Sequence, residues 1–216
     1  MAKRLIDISV PLREGMAHWP GDVPFTRVQR TRIGEDHAVS NDSLLMMSAH
    51  CGTHVDAPRH FLPEGTTVEA MELSLLIGPA YVLDCTAWQG HLTEEAFAGV
   101  PAGVERLLVK TVNARATLSG SFDEHFTGLT ESGALWLKRR GIRLFGLDYF
   151  SIGALDDGSI ARAHRAFLSQ AGAVALEGLC LEGVAGGWYD LICLPLKLAG
   201  SDGAPCRAVL VREDAE

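Results

Sequence analysis

The sequence predicts an α/β fold, a mixed sheet layered with helices, on three observations. Strand-like and helix-like segments alternate through the middle and C-terminal thirds. The N-terminal third carries strand signals alone, and no repeat, linker or low-complexity tract divides the 216 residues. The expectation is a single domain over residues 1–216, long enough for a sizeable core without disulfide staples.

Apolar or β-branched runs bounded by turn residues predict strands at 5–10, 25–33, 44–48, 80–85, 106–111, 144–148, 174–177, 188–194 and 207–211. Helices are predicted at three places. Residues 93–98 open with Thr93 and two acidic first-turn residues, 130–140 carry Leu135 and Trp136 and end in Lys138-Arg139-Arg140, and 159–171 are followed by Gly172. The basic triplet reads as a solvated helix C-terminus, where cations are favoured.

Composition narrows the function. Hydrophobic residues make up 47% and charged residues 21% of the chain, which is the make-up of a folded globular protein and not of a disordered one. Lysine and arginine number 19 against 27 acidic residues, a net charge of −8, and no basic run is long enough to track a phosphate backbone, so nucleic acid is not an expected partner. No apolar stretch approaches the length of a membrane span. The start, Met1-Ala2-Lys3-Arg4, leads into an apolar run broken at Asp7, unlike a secretory signal. Cysteines at 51, 85, 180, 193 and 206 form no Cys-x-x-Cys pair and read as reduced thiols, so a cytoplasmic location is expected. Neither a Gly-x-Gly-x-x-Gly helix start nor a phosphate-binding Gly-x-x-x-x-Gly-Lys motif occurs.

The chemistry is concentrated in His50-Cys-Gly-Thr-His54-Val-Asp56-Ala-Pro-Arg-His60-Phe. Three of the chain's eight histidines and an aspartate fall within eleven residues. Imidazole nitrogen with carboxylate oxygen suits zinc, manganese or iron, whereas calcium takes oxygen alone. On one helix Asp56 would sit about 240° round from His50, and on one extended strand the two would stand roughly 20 Å apart. A shared metal therefore requires a bend, and Gly52 is the residue that permits it. Pro58 would then rigidify the exit and aim His60 at the open side. Against this stands the ordinary role of a histidine, capping a turn or facing solvent. Cys51 with a neighbouring histidine as base is a second enzymatic reading, and a non-catalytic metal-binding module is a third.

This motif resembles the His-x-Gly-Thr-His-x-Asp-x-Pro-x-His-Phe signature of the metal-dependent cyclase family, whose best-known members are bacterial kynurenine formamidases. Asp7-Ile-Ser-Val-Pro-Leu and Trp19-Pro-Gly-Asp22 are similar to the family's opening strand and turn. His164 to Glu177 resembles its second His/Glu element, and Leu194-Pro-Leu-Lys with Gly200-Ser-Asp-Gly-Ala-Pro-Cys-Arg207 its C-terminal signature. The resemblance implies a mixed-sheet, layered β/β/α fold of the swivelling-domain type. It further implies two divalent cations, zinc or alternatively manganese, on His50, His54 and Asp56 and on His164 and Glu177, with Asp56 bridging. His60 would be the general acid/base and Trp19 would line the pocket, with Phe25 or Phe61 beside it. Asp148 and Asp157 are placed at the pocket wall.

The implied reaction is hydrolysis of N-formyl-L-kynurenine to L-kynurenine and formate in tryptophan degradation, by a small-molecule amidohydrolase acting as a homodimer or homotetramer. Opening of a cyclic amide such as isatin is the alternative. Glutamate at 177 resembles the formamidases, since isatin hydrolases tend to carry glutamine there. The remaining histidines, His18, His37, His91 and His125, and the tryptophans Trp88, Trp136 and Trp188, are read as surface, core or interface residues. An apolar loop around Phe25 or Trp188 is a candidate to reach a neighbouring subunit's pocket.

Overall fold

The computed structural model describes residues 3–114, 120–156 and 158–213. Within them lie strands β1 (Lys3–Asp7), β2 (Thr26–Thr31), β3 (Asp42–Met46), β4 (His54–Asp56), β5 (Ile77–Asp84), β6 (Arg106–Lys110), β7 (Leu144–Leu147), β8 (Val174–Glu177), β9 (Gly187–Pro195) and β10 (Gly203–Glu213). The helices are α1 (Leu73–Leu76), α2 (Glu131–Arg139) and α3 (Ser159–Leu168).

The main sheet runs β1-β10-β4-β8-β7-β6-β5-β9, and β9 pairs back onto β10. The sheet therefore closes into a barrel. Strands β5 to β8 are parallel neighbours, joined through α2 between β6 and β7 and through α3 between β7 and β8. The other pairings in this sheet are antiparallel. β2 and β3 form a separate antiparallel hairpin. The mixed, layered α/β architecture expected from the sequence is the one observed: two walls of the barrel with a helical layer against one of them.

Side-chain alternation explains the layering, because successive residues of a strand face opposite sides. Val55, Val82, Leu108, Leu144, Val174, Leu176, Leu191 and Leu210 meet inside the barrel. Their neighbours Leu107, Val109, Phe145, Leu147 and Ala175 face outward and pack against Ala134 and Leu137 of α2 and Ala163 and Phe167 of α3. Buried on both faces, β6, β7 and β8 read as near-continuous apolar runs. Thr130 caps α2 by accepting from the Gly133 N–H, and Lys138 and Arg139 complete its last turn.

Several boundaries differ from the sequence expectation. Residues 93–98 form only a short 3-10 turn, Glu94–Phe97, because no side chain caps its backbone N–H groups and burial of Ala96 and Phe97 sets its path. The helix predicted at 159–171 stops at Leu168. β10 is longer than 207–211 because β4 and β1 share one of its sides while β9 lines the other. β4 and α1 are not predicted at all: three and four residues are too few for a periodic signal. Buried Arg106 holds α1 by donating to the carbonyls of Ser74 and Leu75.

The bend predicted at Gly52 is present, with φ +67°, and a Cβ there would lie 2.6 Å from Leu12 Cδ2. An L-residue in this conformation costs about 1–2 kcal/mol before that contact is counted. Gly52→Ala is therefore expected to lower unfolding free energy by at least that amount in urea titration. An unchanged midpoint would contradict the requirement for a left-handed bend.

Candidate metal centre

β4 and β8 lie antiparallel, with His54 opposite Glu177 and Asp56 opposite Ala175. Since Val55 and Leu176 fill the barrel, His54, Asp56 and Glu177 project from its outer face toward the helical layer. α3 presents His164 to the same spot. The chain reversal at Gly52 returns His50, and the 3-10 turn Pro58–His60, with Pro58 in its first position, brings in His60. All five ligand positions named from the resemblance, together with His60, thus converge.

The distances are those of one cluster. His50 Nδ1 lies 2.7 Å from Asp56 Oδ1, and His54 Nε2 lies 3.5 Å from Asp56 Oδ1 and 3.2 Å from Glu177 Oε2. His164 Nε2 lies 3.0 Å from Glu177 Oε1 and 3.7 Å from Asp56 Oδ2. Asp56, His54, His164 and Glu177 are all buried, and among the described residues both carboxylates have only imidazoles as ion-pair partners, never lysine or arginine.

Hydrogen bonds on the far sides of the rings fix what the near sides offer. His54 Nδ1–H donates to the Gly52 carbonyl at 2.9 Å and His164 Nδ1–H to the Ile160 carbonyl at 2.7 Å. Each ring therefore turns Nε2 toward the acids, the arrangement by which a second-shell acceptor orients a metal-ligating histidine. His54 Nε2 and Asp56 Oδ2 are buried yet make no hydrogen bond. A buried polar atom left in that state costs free energy, and here the orphans point at one another's neighbourhood. Three groups each offer ligand atoms within 4.8 Å of one another: His50-His54-Asp56 and Asp56-His164-Glu177, which are the more buried and share Asp56, and His50-His60-Asp202 at their edge. Nitrogen and carboxylate donors with orphaned atoms between them fit a divalent cation.

The electrostatics carry the same message. Burial opposes charge on His50, but Asp56, Asp202 and Glu177 outweigh it and raise its pKa to about 10. Burial likewise opposes charge on His164, and Glu177 and Asp56 again drive its pKa up. Burial pushes Glu177 upward, yet the bond to His164 and the nearby His54 ring hold it well below the usual carboxylate range. The cluster draws positive charge to itself.

Beside it opens a pocket of about 250 Å³ walled by Trp19, Phe61, Phe150 and Ile160, with Asp22 and Ser151 at its polar edge. Trp19 is held edge-on by Phe122 at 5.1 Å, and Phe61 stacks on the His164 ring at 4.2 Å. Trp19 and Phe61 both lie on this wall. Phe25 does not: it is buried with Val10, Met16 and Cys51. Trp188 lies elsewhere, against Tyr81. Asp148 is also not at the wall; it sits beneath, accepting from Thr111 N–H and Oγ1–H at 2.7 Å each, with burial raising its pKa to about 6. Asp157 falls outside the described residues. Cys51 packs in the apolar cluster with its thiol pushed up by burial, which removes the support for a cysteine nucleophile. His91, expected at the surface, is half-buried and accepts from Gly128 N–H.

Sequence reasoning gave no role to Asp22, Ser151 or Asp202. Asp22 and Asp202 both lie in quoted motifs. Asp202 carries a further signal, an acid between serine and glycine immediately before a strand. Its Oδ2 lies 3.0 Å from His50 Nε2 and 3.2 Å from His60 Nδ1.

The Cyclase family model matches residues 6–154. The chain belongs to the cyclase family. This cyclase-family chain is 38% identical over 205 residues to a kynurenine formamidase of Bacillus cereus, covering 95% of this chain and 96% of that protein. A solved structure described as a potential metal-dependent hydrolase with cyclase activity superposes with a TM-score of 0.84 at 31% identity, covering 99% of this chain and all of that one. Isatin hydrolase A from Labrenzia aggregata shares the fold, with a TM-score of 0.83 at 23% identity over 98% of this chain and 94% of that one.

Added zinc is expected to stabilise the chelator-treated protein by about 2.7 kcal/mol at a hundredfold excess over Kd, seen as a concentration-dependent rise in Tm. Glu177→Ala should remove most of that rise. A Tm indifferent to zinc would contradict a cation site.

Proposed function

We propose that this chain is an amidohydrolase that converts N-formyl-L-kynurenine to L-kynurenine and formate in tryptophan degradation. The observation that carries this reading is the aromatic-walled pocket into which His50, His60, His164 and Glu177 of the cluster face. The kynurenine formamidases at 38% identity across nearly the whole chain support the substrate.

The donor set suits two divalent cations, zinc in first place and manganese as the alternative. His50 and His54 would hold one, His164 and Glu177 the other, and Asp56 would be shared. The overlap of the two groups at Asp56 supports this count. Such cations lower the pKa of a bound water from about 15.7 toward 7 and polarise a carbonyl.

The protein's own residues do the rest. Ile152 N–H, 2.7 Å from Glu177 Oε1, fixes that carboxylate on the floor of the site. Trp19, braced by Phe122 and Phe126, offers a rigid face for the aryl ring of the anilide. His60 is half-buried, with Nδ1 on Asp202 and Nε2 turned toward Asp56 Oδ2 at 3.9 Å. At Nε2 it takes a proton from the attacking water and returns it to the departing aryl nitrogen, a task suited to imidazole near neutral pH.

Cyclic amide opening is the second reading, supported by the fold shared with isatin hydrolases. Glutamate at 177 favours the formamide. A non-catalytic metal module is disfavoured because the cluster opens into a pocket instead of closing over itself. A homodimer is supported by Val28, Leu44, Leu45 and Met46, which are exposed on the β2–β3 hairpin. Five free cysteines suit the reducing cytoplasm, and among the described residues no helix is long and apolar enough to cross a membrane.

Purified protein loaded with zinc is expected to hydrolyse N-formylkynurenine with a higher kcat/KM than isatin, and the reverse ranking would transfer the assignment to the cyclic amide. His60→Ala should keep its metal content and lose about 10²–10⁴-fold in kcat; metal loss in that variant would count against proton transfer. Asp56→Asn should bind neither cation, so two ions per chain by elemental analysis would rule out a shared carboxylate.

A further inference from the structure

We propose that Asp202 is a positioning residue that holds His60 with its hydrogen on Nδ1, leaving Nε2 free to act as a base. The inference rests on the hydrolase reading for its consequence, and on geometry for its substance. A single oxygen, Asp202 Oδ2, lies 3.0 Å from His50 Nε2 and 3.2 Å from His60 Nδ1. An ionised carboxylate only accepts, so both nitrogens that face it carry hydrogen. The two rings stack at 4.0 Å with 29° between their planes, which suits two donors aimed at one oxygen.

For His60 this leaves the lone pair on the opposite nitrogen, Nε2. His50 differs, since its Nδ1–H also donates to Asp56 Oδ1 at 2.7 Å and its ring spans two acids. His60 Nε2 stands 3.9 Å from Asp56 Oδ2, on the pocket side. Asp202 thus fixes both the orientation of the His60 ring and the nitrogen that carries its hydrogen. Without it, His60 is free to carry its hydrogen on Nε2, where a base needs a lone pair.

The segment carrying Asp202 is fixed independently of the histidines. The Asp202 carbonyl accepts from Ala57 N–H at 2.8 Å, the Ser201 carbonyl from Val68 N–H at 3.0 Å, and Ser201 Oγ–H donates to the Gly203 carbonyl at 2.6 Å. Residue 203 must be glycine, because a Cβ there would lie 2.5 Å from His50 Cε1 and 2.9 Å from His50 Nδ1. The Asp202 side chain itself is half-exposed and fills no core space, so its truncation leaves the fold standing.

The test uses zinc-loaded protein labelled with 15N in histidine, wild type against Asp202→Ala and Asp202→Asn. Ring 15N shifts are expected to show His60 protonated at Nδ1 in the wild type and moved toward the Nε2–H form in Asp202→Ala. Asp202→Asn keeps an acceptor and should restore much of the Nδ1–H form. With N-formylkynurenine, Asp202→Ala should lose about 10–100-fold in kcat with KM changed by less than about threefold, and adding His60→Ala should cost no more than His60→Ala alone. An unchanged 15N pattern, or losses that multiply in the double variant, would overturn the proposal. Loss of a zinc ion from Asp202→Ala at saturating zinc would also overturn it, by making Asp202 a ligand. Absence of wild-type turnover would sink the substrate assignment alone, since the ring-nitrogen measurement needs no substrate.

Discussion

Asp56 and Glu177 are buried beside the same imidazoles, and among the described residues no lysine or arginine pairs with either. Carboxyl groups removed from water demand compensating charge, and removing a charge's partner inside a protein typically costs about 3–5 kcal/mol. Here the compensation comes from imidazoles whose backbone-facing nitrogens are already committed. His54 and His164 are left presenting Nε2 to the acids, and His50 presents Nδ1 to Asp56. The rest of the site follows from that unmet demand for positive charge, which a divalent cation satisfies more fully than a proton does.

The barrel makes the demand affordable to fold around. Strand alternation sends Val55 and Leu176 into a well-packed interior, so that the same two strands can carry His54, Asp56 and Glu177 on their other face without leaving a hole in the core. Glu177 ends β8 next to the segments that follow β7, where Phe150 and Ser151 line the pocket. Although the sheet is closed, this is the carboxyl end of the parallel strands β7 and β8, the end at which α/β folds usually place ligands. The ligand reading and the topology therefore point to the same place by separate arguments.

The convergence of His50, His54 and Asp56 was legible because their spacing was incompatible with either regular structure, leaving a glycine bend as the way to gather them. The bend is where it was expected, at Gly52. The long apolar strands and the capped helix α2 were legible from period and capping chemistry. His164 and Glu177 were legible only through resemblance, since nothing local tells a surface-spaced helical histidine that it faces β8. β4 was too short to see, and Asp202 was hidden because its role depends on a contact across 152 positions of sequence with His50. Phe25 and Asp148 were misplaced for a related reason: an aromatic ring or an acid near a motif in sequence has no claim on the pocket until the packing of Met16 or the hydroxyl of Thr111 is known.

The central claim is that positive charge in the form of metal sits among these acids. Anomalous diffraction at the zinc edge, from crystals of the protein purified with zinc, tests it most directly. The account gives two peaks on either side of Asp56, one beside His50 and His54 and the other beside His164 and Glu177. A map with no anomalous density among those five residues would contradict it.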